Sequence, residues 1–397
     1  MKSIIHFNPI SELQKHINLN LEFDNLIDLI ITNDIAQIHA CINKVWSYSL
    51  QGKWCVGFLS YEAAPAFDKA YRTSTISNAA SDEDIPLLQF AVYDSYKIKH
   101  FPEKNYNNSL NLNFKLDEEK YTRDFNKIIE LIKNGDIYQI NYTHQLKQAL
   151  DYKISHNEWI NHYYKLLLRQ INSYSIYLNW FDKQKNLEHN LFSFSPELFF
   201  HWQPQSGKII TQPMKGTAKR NVNNPDIDLE IMHKLKLTLK EQAENIMIVD
   251  LIRNDLSKIA KLGSVKTNNI FECIKLQSIW QMVSTVSAVT KNDVTLYDIL
   301  CALFPCGSIT GAPKIQSMKV IHALEQEARG VYCGIAGLIK PFGETIFNVA
   351  IRSLYTVTNK NSNHTNISYG VGSGITIDAV CEQEIKELYS KFVFLNN

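Results

Sequence analysis

This chain has no C-x-x-C pair, no H-E-x-x-H spacing and no run of about 18 apolar residues. Each absence removes a class of protein. The seven cysteines, an odd number, lie scattered at Cys41, Cys55, Cys273, Cys301, Cys306, Cys333 and Cys381. They predict neither a thiolate metal centre nor a disulfide framework, and they suit a reducing compartment. One-sided charge is missing too, with 41 basic residues against 40 acidic and a net charge of +1. Such a balance offers no field to recruit nucleic acid or an anionic membrane. The N-terminus, Met1-Lys2-Ser3-Ile4-Ile5-His6-Phe7-Asn8-Pro9, lacks the apolar core of a secretion signal. The expectation is a soluble cytoplasmic protein whose metal, if any, is bound by oxygen.

What is present is core material. Hydrophobic residues make up 45% of the 397 and charged residues 20%, enough to bury a full interior. Two polar stretches, 68–86 and 101–115, read as a surface loop and a connector. The connector separates an N-terminal region, 1–110, from residues 111–397, the two forming one integrated domain. Residues 54–61, 136–146, 193–200, 208–212, 331–339, 345–357 and 367–371 read as strands. Residues 121–133, 226–256, 314–324 and 379–394 read as helices, and 27–38 stays ambiguous. Strands and helices cluster without strict alternation. This favours an α+β, layered fold with stacked sheets over a doubly wound one.

Three carboxylates stand out. Glu384, Glu387 and Lys391 fall at i, i+3 and i+7 and share one face of the closing helix. The plain alternative is a solvated Glu–Lys pair. Glu244 immediately precedes the most apolar helical run of the chain, where an ionised carboxylate is unfavourable unless it meets a cation. Glutamates from two helices, without histidine or cysteine, suit Mg²⁺. Asp250 and Arg253, one turn apart, read as a structural pair.

Two glycine-rich stretches let the backbone approach a ligand. One, residues 304–314, includes Thr310 and Gly311 and runs into Pro313 at a helix start, where free N–H groups suit an anion. The other is Gly372-Ser373-Gly374. Neither has phosphate-loop or dinucleotide spacing. Arg352 can fork onto a carboxylate, with Tyr332 nearby. Lys215, between Met214 and Gly216, is by itself an ordinary turn charge, but a desolvated lysine amine is also a nucleophile.

An ordered series of segments resembles the chorismate-utilising enzyme family. They are Gly135-Asp136-Ile137-Tyr138-Gln139-Ile140-Asn141, Ser195-Pro196-Glu197, Pro213-Met214-Lys215-Gly216-Thr217, residues 243–255, residues 304–314, Ile351-Arg352, Gly372-Ser373-Gly374 and Glu384-Ile385-Lys386-Glu387. The resemblance implies two stacked, mainly antiparallel sheets with helices outside and a site between them. Carried over, it implies Glu244, Glu384 and Glu387 on Mg²⁺ against the ring carboxylate of chorismate. Arg352, Tyr332, Gly372, Ser373 and Gly374 would grip the enolpyruvyl carboxylate, and Thr310, Gly311 and Lys391 would line the pocket. Glu197 would serve as general acid and base at the C4 hydroxyl.

Two positions choose among branches of the family. Gln139 stands where water-adding members carry a lysine base, and Lys215 stands where anthranilate-forming members carry alanine. The branch implied aminates chorismate at C4 through a covalent bond to Lys215, on the way to p-aminobenzoate and folate. Gln281 stands where many relatives have histidine, a departure from the pattern. The chain has no G-x-C-x-G glutaminase elbow. Ammonia is therefore expected from a separate glutamine amidotransferase partner, component II. Release of p-aminobenzoate would need a further enzyme. The alternatives are an anthranilate-forming enzyme and a non-catalytic chorismate-binding paralogue.

Overall fold

Alternation along the strands sorts the chain into two stacked sheets. In the strand Lys2–Phe7, Ile5 and Phe7 face one core while Ile4 faces another. In Trp54–Leu59, Val56 and Phe58 join Ile5 and Phe7, whereas Cys55 and Leu59 point the opposite way. Side chains of period two thus supply a shared interior between the sheets and a separate core on each outer face. The computed structural model describes residues 1–9, 17–75, 85–99, 110–171, 173–276, 279–362 and 364–396. The expected loop over 68–86 and connector over 101–115 lie partly outside these.

Among the described residues the first sheet has nine strands and the second ten. The first runs, side by side, Gly311–Ala312, Gln139–Leu150, Thr365–Ile375, Ser353–Asn359, Leu187–Ser195, Tyr174–Asp182, Lys2–Phe7, Leu19–Phe23 and Lys97–Ile98. The second runs Met214–Lys219, Ile279–Val289, Lys208–Gln212, Leu198–Gln203, Thr345–Val349, Ile335–Ile339, Trp54–Leu59, Leu88–Tyr93 and Leu26–Thr32, with Lys266–Lys275 also on Ile279–Val289. Pairing is antiparallel. The N-terminal strands therefore extend both sheets.

Helices cover the outer faces. Glu118–Lys133 buries Tyr121, Phe125, Ile128 and Ile132, and His156–Arg169 buries Trp159, Tyr163 and Leu166 against the first sheet. A capping box starts the latter, with Ser155 Oγ accepting from Glu158 N and Glu158 Oε2 accepting from Ser155 N at 2.8 Å. Ile38–Leu50, Leu239–Ser257 and Leu296–Leu303 cover the second sheet. The layering expected from the sequence is observed.

Four element assignments change. The strand expected over 193–200 divides between Leu187–Ser195 in the first sheet and Leu198–Gln203 in the second. The helix expected over 226–256 is two, Pro225–Leu237 and Leu239–Ser257. Thr238 between them is extended (φ −69°, ψ 113°), and its hydroxyl donates back to Lys234 O at 2.8 Å. The second helix is not buried on most sides. Ile248, Val249 and Ile252 face the core while Ile246 is 45% exposed, so its apolar run spans both faces. The strand expected over 345–357 breaks into Thr345–Val349 and Ser353–Asn359. The strand expected over 331–339 begins only at Ile335. Among the described residues no helix is long and apolar enough to cross a membrane.

Candidate active site

Of the places where the chain passes from one sheet to the other, two carry a candidate residue. Leu187–Ser195 belongs to the first sheet and Leu198–Gln203 to the second, so Pro196-Glu197 is the step between them. Thr345–Val349 and Ser353–Asn359 make the reverse step through Ala350-Ile351-Arg352. The two steps are tied together, because Val349 N donates to Glu197 O and Phe194 N donates to Arg352 O, each at 3.1 Å. Arg352 has φ of 51°, an uncommon conformation for a residue with a side chain. That kink, and not a straight strand, carries its guanidinium to the cleft.

The cleft measures roughly 1260 Å³, open at one side and ample for a small molecule. Among the described residues eight cations line it (Arg169, Lys215, Lys219, Arg220, Lys240, Lys275, Arg352 and Lys391), against five glutamates (197, 241, 244, 384 and 387). A nearly neutral chain thus concentrates positive charge where an anionic substrate would enter.

One wall is a strand face stripped of side chains. Gly370, Gly372 and Gly374 alternate toward the cleft along Thr365–Ile375. A methyl at Gly370 would collide with the Tyr332 ring, one at Gly372 would lie 3.1 Å from Tyr332 Oη, and one at Gly374 would strike Lys215 Nζ. The phenol and the amine therefore lie against bare backbone. Gln139 reaches the same spot, its Nε2 3.3 Å from where that last methyl would sit.

Glu197 is 4% exposed and accepts from Ser308 Oγ at 2.7 Å. Burial pushes its carboxyl up to about 7, against the opposing pull of Ser308, the Lys215 charge and the Met214 N–H. A carboxyl poised near neutrality suits transfer of a proton in either direction. Cys306 lies close by, but burial drives its thiol up to about 12, which leaves it inert.

The acidic residues face one another across the cleft. Glu384 is raised by burial and then by the Glu387 charge. Desolvation raises Glu387, but Lys391 at 2.7 Å, joined by the Lys215 and Lys240 charges, lowers it on balance. Glu244 accepts from Thr376 Oγ1 at 3.3 Å. Glu241, which sequence reasoning passed over, lines the same cleft and is raised by burial and then by Glu244. Its i,i+3 spacing from Glu244 was the available signal. Among the described residues no three such side chains are gathered tightly enough to cage an ion outright. The donor set nonetheless fits a hydrated Mg²⁺, which takes oxygen ligands, keeps waters and needs only one or two carboxylates directly. The mutual repulsion among these glutamates is what a dication relieves.

Other expected positions sit differently. Thr310 and Gly311 do not line the cleft. Thr310 is fully buried with its hydroxyl on Cys306 O at 3.0 Å, and Gly311 is paired to Ile140. Their neighbours Ser308 and Ile309 line it instead. Arg329 fixes that loop, donating to Ile309 O and Asn141 O at 2.8 Å each while paired to Glu325. At the helix start after Pro313, Lys314 turns inward to Asp255 at 2.6 Å, and neither residue lines the cleft. Ser373 points away from the cleft, its hydroxyl on Tyr121 Oη at 2.7 Å and bonded to Glu384. Lys391 lines the cleft and donates to Gly372 O at 2.6 Å. Asp250 and Arg253 pair at 2.7 Å on the surface.

A two-sheet sandwich with a basic cleft, a near-neutral carboxyl and a lysine amine over bare backbone is the setting found here. The profile of the chorismate binding enzyme family matches residues 7–397. The chain belongs to that family. It is 34% identical over 272 residues to aminodeoxychorismate synthase component 1 of Salmonella typhimurium, covering 68% of this chain and 56% of that protein. It is 32% identical over 293 residues to the Escherichia coli protein of the same name, covering 73% and 60%. Anthranilate synthase component 1 of Saccharolobus solfataricus is 30% identical over 359 residues, 85% of this chain and 78% of that one. The chain thus spans little more than half the length of the first two relatives. Anthranilate synthase component I from Streptococcus pneumoniae shares the fold, with a TM-score of 0.71 and 21% identity over 100% of this chain and 90% of that one.

Proposed function

We propose that this chain is the chorismate-aminating component of an aminodeoxychorismate synthase, converting chorismate and ammonia to 4-amino-4-deoxychorismate and water. The observation that carries the reading is Lys215 Nζ lying over Gly374 in the same cleft as Glu197. The lysine amine would attack C2 of the ring as the C4 hydroxyl leaves, protonated by Glu197. Ammonia would then add at C4 and expel the lysine, restoring the ring double bonds with no net oxidation. Covalent attachment directs the new nitrogen to C4.

Arg352, already held by Gln170 Oε1 at 2.7 Å, has further N–H donors for the enolpyruvyl carboxylate, beside Tyr332 and the Gly372–Gly374 backbone. Mg²⁺ would keep most of its waters, be held by one or two of Glu244, Glu384 and Glu387 directly, with Glu241 beside them, and neutralise the ring carboxylate. Gln139 and Gln281 carry no titrating group, so neither activates water as a base. Ammonia would come from a glutamine amidotransferase, component II, in keeping with the component naming of the relatives. The product would lead to p-aminobenzoate and folate in the cytoplasm.

The wider coverage of an anthranilate synthase relative favours a second reading, in which pyruvate is lost from the ring. Incubation with chorismate, MgCl₂ and an ammonium salt, read by mass spectrometry, separates them. A product that keeps its enolpyruvyl group supports the first reading. Anthranilate with free pyruvate overturns it in favour of the second, and no turnover points to a non-catalytic paralogue.

A further inference from the structure

The strand that carries Lys215 is irregular where the lysine sits. Met214 pairs with Val283 and Thr217 with Gln281, so three steps on one strand face two on the other. Lys215 and Gly216 form a bulge opposite Met282, and Gly216 takes a left-handed φ of 89°. A bulge interrupts the ladder and re-aims the side chain it carries. A methyl at Gly216 would stand 2.9 Å from Glu241 Oε2 and 3.3 Å from Met282 Cβ, so the conformation and the space both call for glycine.

The side chain of Gln281 is 6% exposed and crosses to this bulge. Its Nε2 donates to Gly216 O at 2.9 Å and to Met282 O at 3.3 Å. Before the bulge, Ser284 N donates to Pro213 O at 3.2 Å. We propose that Gln281 is a positioning residue for Lys215: its amide replaces the ladder donor that the bulge removes at Gly216, and so holds the amine over Gly374. The assignment rests on Lys215 being the nucleophile and adds a residue of the cleft lining that acts through the lysine. A slip of the bulge by one residue would send the lysine to the opposite face of the sheet. The amide donates at every working pH and transfers no proton.

Glutamate is the informative replacement, since its protonated form can donate to Gly216 O and its ionised form repels that oxygen. The experiment compares the full-length chain with Gln281→Leu and Gln281→Glu in ammonia-dependent turnover and in crystal structures. For Gln281→Leu, kcat falls by about 10² while the KM for chorismate stays within about threefold, as expected when a reacting atom shifts by about 1 Å. Gln281→Glu gains a limb in its pH profile that the native chain lacks, with activity falling as the new carboxyl ionises. In the Gln281→Leu crystal, Lys215 Nζ leaves Gly374. Native kcat in Gln281→Leu, a loss confined to KM, or an unmoved Lys215 nitrogen would each overturn the proposal. If the native chain itself yields no 4-amino product, the assigned reaction is wrong, and the position of the lysine in the variant crystal still decides whether Gln281 holds it.

Discussion

Glu197→Gln should make the protein more stable above neutral pH while removing its chemistry. The carboxyl sits at about 7 in the folded chain against 4.5 for an unburied glutamate. Between those values the folded state keeps a proton that the unfolded state has lost, so stability declines as pH rises through this window. Above about 7 the full penalty applies, and about 2.5 units at 1.36 kcal/mol each come to about 3 kcal/mol. Glutamine keeps a carbonyl for the Ser308 hydroxyl and has no ionisation to suppress. At pH 8 the variant should melt about 3–4 °C above the native chain, given the unfolding entropy of a protein this size. At pH 4 the two should melt together, or the variant slightly lower. Differential scanning calorimetry across pH 4–8, beside an amination assay, measures both effects. Amination should fall by about 10² or more, the usual contribution of a positioned acid. Parallel melting curves across the whole pH range, or a variant that still aminates, would refute the reasoning.

Lys215→Ala should abolish the covalent step, lowering C4 amination by about 10³ or more, and mass spectrometry of the ammonia-free reaction should lose its chorismate-derived adduct. Arg352→Gln removes charge-assisted hydrogen bonds worth about 1.5–3 kcal/mol, so the KM for chorismate should rise by about 10–100-fold; an unchanged KM would remove the guanidinium from substrate binding. Ser373→Ala frees Glu384 from the Tyr121–Ser373 pair and should weaken Mg²⁺ by about 10-fold, read as the Mg²⁺ concentration giving half the maximal thermal shift.

Much of the architecture was legible because it follows from period. The unbroken apolar run Trp54–Leu59 marks a strand buried on both faces, and the 3.6-residue recurrence of Phe125, Ile128 and Ile132 marks one buried helix face. The site was less legible wherever a single backbone torsion decided it. Nothing in residues 226–256 marks Thr238 as a break, and only the fold turns Arg352 to positive φ. Thr310 and Gly311 were expected at the cleft and Ser308 and Ile309 line it, because loop residues have no fixed period to say which faces inward. By contrast, Ser373 follows a rule the strand already stated: with Gly372 and Gly374 turned to the cleft, the residue between them must turn away. Glu241 was equally readable from its place one turn ahead of Glu244.

The paired steps through Glu197 and Arg352 carry a consequence for how such a chain tolerates change. Each corner hands a strand from one layer to the other, so its residue count sets which side chains of the receiving strand point inward. Inserting one residue at either corner would invert the parity of everything paired beyond it. A change of length is thus expected to be tolerated at the periphery and not at these two junctions, which set the register of the strands they feed.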